Sequence, residues 1–267
     1  METGEIVIEA VTVTEAPWGP VQPEIMEALA KEPHDIPEVV RLLTDLDHLL
    51  ERANPGVPDN AVLDFNRLYR TITAEILERH RAGAFADPTF LSVLDVEFAK
   101  RYLNALRLYG QGSPDTPQAW KVLFDRLHER SHHPLPAAAA GVNAHVNYDL
   151  PFALLSTWDT LGSTPEDDRQ HGDYLQINEV FFTKIPGLRR SYLKTWQLFF
   201  DRLNGTIDDW YEDRVVEFAR DLAWTDAKRF WPVRHDSTAL QEARRTLDHH
   251  VAFVGWALLS PACWFLQ

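Results

Sequence analysis

Four polar residues lie in the middle of an otherwise apolar stretch of the sequence, residues 135–162. They are Asn143, His145, Asn147 and Asp149. Residues four apart lie on one face of an α-helix, so we expect His145 to stack on Asp149 and Asn143 to stack on Asn147, on roughly opposite faces. A buried imidazole or carboxylate is costly unless it is hydrogen-bonded, paired or bound to a metal. These four residues are therefore the first candidates for catalytic residues.

The pair of His145 and Asp149 supplies one nitrogen and one oxygen ligand, the kinds that zinc and other divalent ions bind. His171 and Asp173 follow a turn after Gly162 and could return to the same point. We therefore expect a metal site of His145, Asp149, His171 and Asp173 that holds zinc, iron or manganese. The His-x-x-x-Asp spacing is similar to that of helical zinc phosphoesterases of the phospholipase C type, which use more histidines. The same pair could instead be a hydrogen-bonded unit that satisfies only itself.

Asp95 is a further candidate, because it falls on the apolar stripe of its predicted helix. Its carboxylate is expected to point inward, where it could act as another metal ligand or as a general base. The alternative is that Asp95 is an internal ion-pair partner of Arg67 or Arg101, and the sequence alone favours this second interpretation.

Two short motifs indicate ordinary helix ends rather than sites. The segment from His128 to His132 has the HExxH pattern of zinc peptidases, but polar residues inside it and Pro134 after it favour a solvated helix end. The segment from Asp208 to Glu212 is similar to the diphosphate-binding motif of class I terpene synthases, but acidic residues also favour a helix start. The single cysteine, Cys263, lies in an apolar segment and indicates packing.

The candidate residues lie on predicted helices. Helix-start and helix-stop signals recur from Pro37 onward, including the N-cap pair Asp87-Pro88. We expect an all-α single domain of about nine helices over residues 37–267, built around a buried central helix. Residues 1–36 are expected to form an irregular arm that Trp18 anchors. Pro151 lacks a backbone donor, so the central helix is expected to kink and to leave the Asn147 carbonyl oxygen free.

Composition restricts the partners. A net charge of −14 disfavours nucleic acid and anionic membranes. One cysteine excludes an intrachain disulfide and a CxxC metal site. The first residues lack the basic start and long apolar run of a signal peptide, and the apolar end of the chain is too short for an ordinary membrane span. We expect a soluble cytoplasmic protein that acts on a small molecule.

A set of short segments distributed along the chain forms a recognisable signature. The segments are Phe65–Tyr69, Phe85–Pro88, Leu94–Val96, Phe98-Ala99, Arg101–Leu103, Asn143–Asn147, Asp149–Pro151 and His171–Tyr174. The Asn-Ala-His and Asp-Leu-Pro segments are its most specific part. With this signature the sequence resembles a bacterial family known as the domain of unknown function 5995 family, over most of residues 60–259. The resemblance implies an all-helical fold and a candidate site, and it brings no established activity.

Three functions are compatible with these observations. The leading prediction is a metal-dependent enzyme, hydrolase-like, in which Asp95 or Asp173 moves a proton from metal-bound water. The second is a metal-free cyclase, lyase or isomerase in the biosynthesis of a small molecule such as an isoprenoid or polyketide. This second function uses His145 and Asp149 as an acid/base pair and requires an apolar cavity beside His145. The third is a non-catalytic helical binding protein, in which the four central polar residues form a closed network.

Overall fold

The computed structural model describes residues 16–53, 60–129, 134–184 and 215–260. Within these ranges the chain forms helices and no strand, which confirms the predicted all-α class. In chain order the helices are α1 (Gln22–Leu29), α2 (Ile36–Ala53), α3 (Ala61–Arg81), α4 (Pro88–Gly110), α5 (Gln118–Phe124), α6 (Pro134–Val142), a π-helical segment (Asn143–Asp149), α7 (Leu150–Leu161), α8 (Asp168–Lys184), α9 (Val215–Phe230) and α10 (Ser237–Leu258), with short 3₁₀ turns at Gly19–Val21 and Trp231–Val233.

The helix α6, the π-helical segment and α7 continue into one another as the predicted central helix, residues 134–161. This helix contacts α3, α4, α5, α9 and α10. Between residues 136 and 155, only Tyr148 is less than fully buried. Gly141 permits close contact with α3, because a Cβ atom there would lie 2.3 Å from Phe65 Cδ2. The central helix is therefore buried all round, as predicted.

Capping residues define the ends of the helices that face the central helix. The Asn60 side chain accepts a hydrogen bond from the Leu63 N–H at 3.0 Å, and the Asp87 side chain accepts one from the Phe90 N–H at 2.9 Å. Each cap is worth about 1 kcal/mol. Asp87-Pro88 begins α4 as predicted, since proline has no N–H to satisfy in the first turn.

The prediction of an irregular arm is wrong for residues 19–29, which form a 3₁₀ turn and α1. Pro20 and Pro23 lie at the first positions of these elements, where a missing N–H costs little. Trp18 anchors this segment as expected. Its ring is completely buried, 5.1 Å from the Tyr109 ring between centroids.

The helix does not continue as a regular α-helix through its polar residues. The Leu150 N–H donates to the carbonyl oxygen of His145, five residues earlier, and the whole segment Asn143–Asp149 is π-helical. A widened turn thus precedes Pro151, which lies in the first turn of α7. Single-turn π-helical insertions are frequent at functional sites. Among the helices described, none combines the length and apolar character needed to cross a membrane.

Candidate active site

His145 and Asp149 form a buried hydrogen-bonded pair on the π-helical segment. His145 Nδ1 lies 3.0 Å from Asp149 Oδ2, and the Trp120 Nε1–H donates to the same oxygen at 2.9 Å. An indole can only donate, so Asp149 Oδ2 acts as an acceptor for both partners. His145 therefore carries its proton on Nδ1, and its Nε2 is an unprotonated acceptor.

Aromatic rings fix the orientation of the His145 side chain. The Phe98 ring stacks on the imidazole with 3.4 Å between centroids and 7° between planes, and the Tyr69 ring meets its edge at 4.5 Å. Burial lowers the pKa of His145, and the hydrogen bond to Asp149 opposes this shift. The imidazole is thus held neutral, with Nε2 aimed away from Asp149.

His145 Nε2 faces a cavity between α3, α4, α8, α9 and the central helix. The cavity has a volume of about 40 Å³ and a mostly aliphatic and aromatic lining. One water molecule needs about 10–15 Å³ of such volume, so the cavity would hold about three waters. Among the described side chains that line it, only Leu68 and Phe98 are half-buried, so these two lie between the cavity and solvent.

The residues that line this cavity carry four buried polar atoms that have no hydrogen-bond partner within the described part of the chain. They are the Tyr69 hydroxyl, Asp95 Oδ2, His145 Nε2 and Arg220 Nε. The Thr73 hydroxyl lies beside that of Tyr69, but it donates its hydrogen bond to the Tyr69 backbone carbonyl. Each unsatisfied buried group costs about 1–3 kcal/mol, so their convergence indicates a place for water or a ligand.

Asp95 lines this cavity and forms no ion pair within the described residues, so the interpretation favoured by the sequence is wrong. Arg67 pairs with Glu51, and Arg101 donates to the Phe152 carbonyl and to Ser156 Oγ, the latter at 2.8 Å. Burial raises the pKa of Asp95 to about 7. The carboxyl can therefore release or take up a proton near neutral pH.

A comparison with known protein families identifies the family to which the chain belongs. The model of a family of unknown function, DUF5995, matches residues 36–261. The chain belongs to this family. The match begins 24 residues earlier than the resemblance seen in the sequence, so it also includes α2, while Trp18 and α1 lie outside it. No curated protein and no solved structure matches the chain.

The metal site predicted from the sequence is not assembled in this DUF5995 member. Asp173 is fully buried, and its two carboxylate oxygens accept the backbone N–H groups of Ala86 and Asp87, at 2.9 and 2.5 Å. Its carboxylate thus accepts hydrogen bonds from backbone N–H groups at the start of α4, which have no acceptor within the helix. The His171 ring packs on Trp224 instead. In the four described ranges, no three His, Cys, Asp or Glu side chains are grouped to hold a metal ion.

Asn143 and Asn147 also lie apart from the cavity, although their predicted stacking is confirmed. Asn147 Nδ2 donates to Asn143 Oδ1 at 2.9 Å, and Asn143 Nδ2 donates to the Val251 carbonyl. Both line a separate groove of about 530 Å³ beside α9 and α10. Asn147 Oδ1 finds no partner in the described residues. The four polar residues therefore form two pairs on opposite faces and not one closed network.

Three residues of the site were not identified from the sequence. Trp120 is 29 residues from its partner Asp149, and nothing local predicts this contact. Tyr69 lies among the buried apolar residues of α3, a pattern that indicates packing and not a site. Arg220 precedes Ala223, Trp224 and Ala227 at helical spacing, and this buried stripe was a usable signal.

The two short motifs lie wholly or partly outside the described ranges. His128 is exposed and Glu129 pairs with Arg126, while residues 130–133 lie outside the described ranges. The acidic segment from Asp208 to Glu212 and Cys263 also lie outside them.

Proposed function

We propose that the protein is an enzyme that transfers protons on a small organic molecule, as an isomerase, lyase or cyclase does. The observation that carries the proposal is the convergence of His145 Nε2, Asp95 Oδ2 and the Tyr69 hydroxyl on one apolar cavity. The apolar cavity beside His145 is what the acid/base alternative requires. The metal-dependent hydrolase, by contrast, requires four ligands at one point, whereas Asp173 and His171 on α8 make other contacts, away from the His145–Asp149 pair.

His145 would act as the general base. Its Nε2 would take a proton from the substrate, and Asp149 would stabilise the resulting imidazolium through the Nδ1–H hydrogen bond. The Asp149–His145 arrangement matches two members of the serine hydrolase triad, and among the described residues that line the cavity there is no serine or cysteine nucleophile. Proton abstraction from the substrate itself is therefore the chemistry that this pair suits best.

Asp95 would act as the general acid. Because burial raises its pKa to about 7, a large fraction of Asp95 is protonated at neutral pH and can donate. The environment of His145 keeps it neutral as a base, and that of Asp95 keeps it neutral as an acid. Enzymes commonly assign the two roles in this way, by shifting the pKa values of two neighbouring groups apart.

Tyr69 would stabilise developing negative charge on a substrate oxygen. Burial and then the Asp95 carboxylate raise its pKa well above the usual value, so its hydroxyl keeps its proton and can donate a hydrogen bond. The cavity is smaller than most ligand pockets, which measure about 300–1,000 Å³. Substrate entry would therefore require Leu68 or Phe98 to move.

The proposal is tested by deuterium exchange at carbon. Small ketones, enones and carboxylic acids are incubated with the protein in D₂O, and deuterium uptake is followed by mass spectrometry. We expect the wild type to accelerate uptake for at least one class, and His145→Gln to lose this acceleration. His34→Gln, a substitution of an exposed histidine, is the matched control. Probes that bind in the cavity without exchanging would contradict the proposal and favour the non-catalytic binding protein.

A further inference from the structure

Arg220 is a buried cation that has no carboxylate partner among the described residues. Only 3% of its surface is exposed, and in the described parts of the chain it forms no ion pair. Its Nη2 donates to the Tyr174 carbonyl at 3.3 Å, its guanidinium lies 4.2 Å from the centroid of the Tyr174 ring, and its Nε has no partner there. Arginine is almost never buried to this extent unless it is paired, so this guanidinium needs a counter-charge.

The acidic residues nearby do not supply that charge. Asp221 follows Arg220 on α9 but is exposed to solvent. Asp149 Oδ2 already accepts two hydrogen bonds, from His145 and Trp120. Asp95 lines the same cavity, yet it makes no hydrogen bond or ion pair with Arg220. The cavity is thus an apolar space with an uncompensated positive group in its wall.

We propose that Arg220 binds the carboxylate of the substrate, which is a small monocarboxylic acid with an apolar body. The inference rests on the proposed function, since this acid would be the molecule from which His145 takes a proton. A carboxylate carries one negative charge and matches the single cation, whereas a phosphate group carries about 1.5 to 2 charges at neutral pH. Arginine also presents its N–H groups in a planar fork that suits a carboxylate. The apolar lining would cover the rest of the molecule.

The inference is tested by calorimetric titration at pH 7. The probes are butanoate, hexanoate and benzoate, the matching primary amides, and inorganic phosphate. We expect the carboxylates to bind the wild type and the amides and phosphate to bind at least about tenfold more weakly, since hydrogen bonds to charged groups are worth about 1.5–3 kcal/mol. Carboxylates that bind no better than their amides, or phosphate that binds better than both, would overturn the inference.

Substitutions assign the binding to Arg220. Arg220→Met should lower carboxylate affinity about 10- to 100-fold. It should also fold, because an apolar side chain of similar length often replaces a buried charge without loss of stability. Arg220→Lys keeps the positive charge but loses the planar fork of N–H groups. Its affinity for carboxylates should therefore lie between that of the wild type and that of Arg220→Met. Arg229→Met, on the exposed side of the same helix, is the matched control and should bind as the wild type does. An unchanged affinity in Arg220→Met would contradict the inference.

Different experimental results would overturn the acid/base function and the carboxylate inference. Carboxylates that bind through Arg220 but gain no deuterium in the wild type would keep this inference and overturn the acid/base function. Deuterium uptake by neutral ketones together with no binding of carboxylates would keep the acid/base function and overturn this inference.

Discussion

His145 Nδ1 lies 3.0 Å from Asp149 Oδ2, four residues later on the same helical segment. Because both residues belong to one element, their contact depends on local geometry more than on how distant helices meet. The contact persists although the segment is π-helical, and Trp120 on α5 adds a second donor to the same carboxylate oxygen. The pair is therefore held ready before any ligand binds, which is what a general base requires.

Asp149→Asn should remove most of the exchange activity and retain the fold. An amide can present its N–H₂ group to His145 Nδ1, which would move the imidazole proton to Nε2 and abolish its basicity toward the cavity. In the serine protease template this change costs about four orders of magnitude in rate, and we expect a loss on the order of a thousandfold or more. Deuterium exchange measures the rate, and ¹⁵N NMR of the imidazole reports the tautomer. An unchanged tautomer with full activity would contradict the assignment of His145 as base.

Asp95→Asn should change how stability depends on pH. The pKa of Asp95 is raised from 3.8 to about 7 in the folded protein, so between these values the folded state binds more protons than the unfolded state. Stability therefore falls as pH rises from about 4 to 7, by about 4 kcal/mol if the whole shift is expressed. The variant lacks this loss. The difference in unfolding free energy between variant and wild type should therefore shift in favour of the variant from pH 5 to pH 8. Urea unfolding at both pH values measures the gain.

The matched control for this prediction is Asp45→Asn, a substitution of an exposed carboxylate on α2. Its stability should follow that of the wild type at both pH values. If Asp95→Asn and the wild type showed parallel stability curves between pH 5 and 8, Asp95 would titrate normally and could not serve as the proposed general acid.

Asp173→Asn should destabilise the protein without affecting metal content. The substitution leaves one of the Ala86 and Asp87 N–H groups without its carboxylate acceptor. Hydrogen bonds to a charged group are worth about 1.5–3 kcal/mol, so we expect a loss of that size. Asp168→Asn, at an exposed position of the same helix, should have little effect. Stoichiometric metal in the wild type that is lost in Asp173→Asn would contradict the structural role of Asp173.

The features predictable from the sequence are those that depend on local geometry. The caps Asn60 and Asp87 and the two i,i+4 pairs of the central helix follow from spacing along one helix. The partner of Asp173 could not be predicted in this way, because it depends on where α8 lies relative to the start of α4. The His-Asp spacing of residues 171 and 173 is thus compatible with a metal site and with a helix-capping role. Only tertiary contacts distinguish the two.

Gly141→Ala should disturb both stability and the site. The added Cβ would lie 2.3 Å from Phe65 Cδ2, and Phe65 lines the cavity and meets the His145 ring at 5.8 Å between centroids. Overpacking of this kind costs about 1–3 kcal/mol, and displacement of Phe65 should shift the His145 ring signals in NMR spectra. Gly172→Ala is the matched control, because a Cβ atom there meets nothing within 4 Å and alanine favours a helix by up to about 1 kcal/mol. If both variants were equally stable, α3 and α6 would be too loosely packed to hold His145 in place for catalysis.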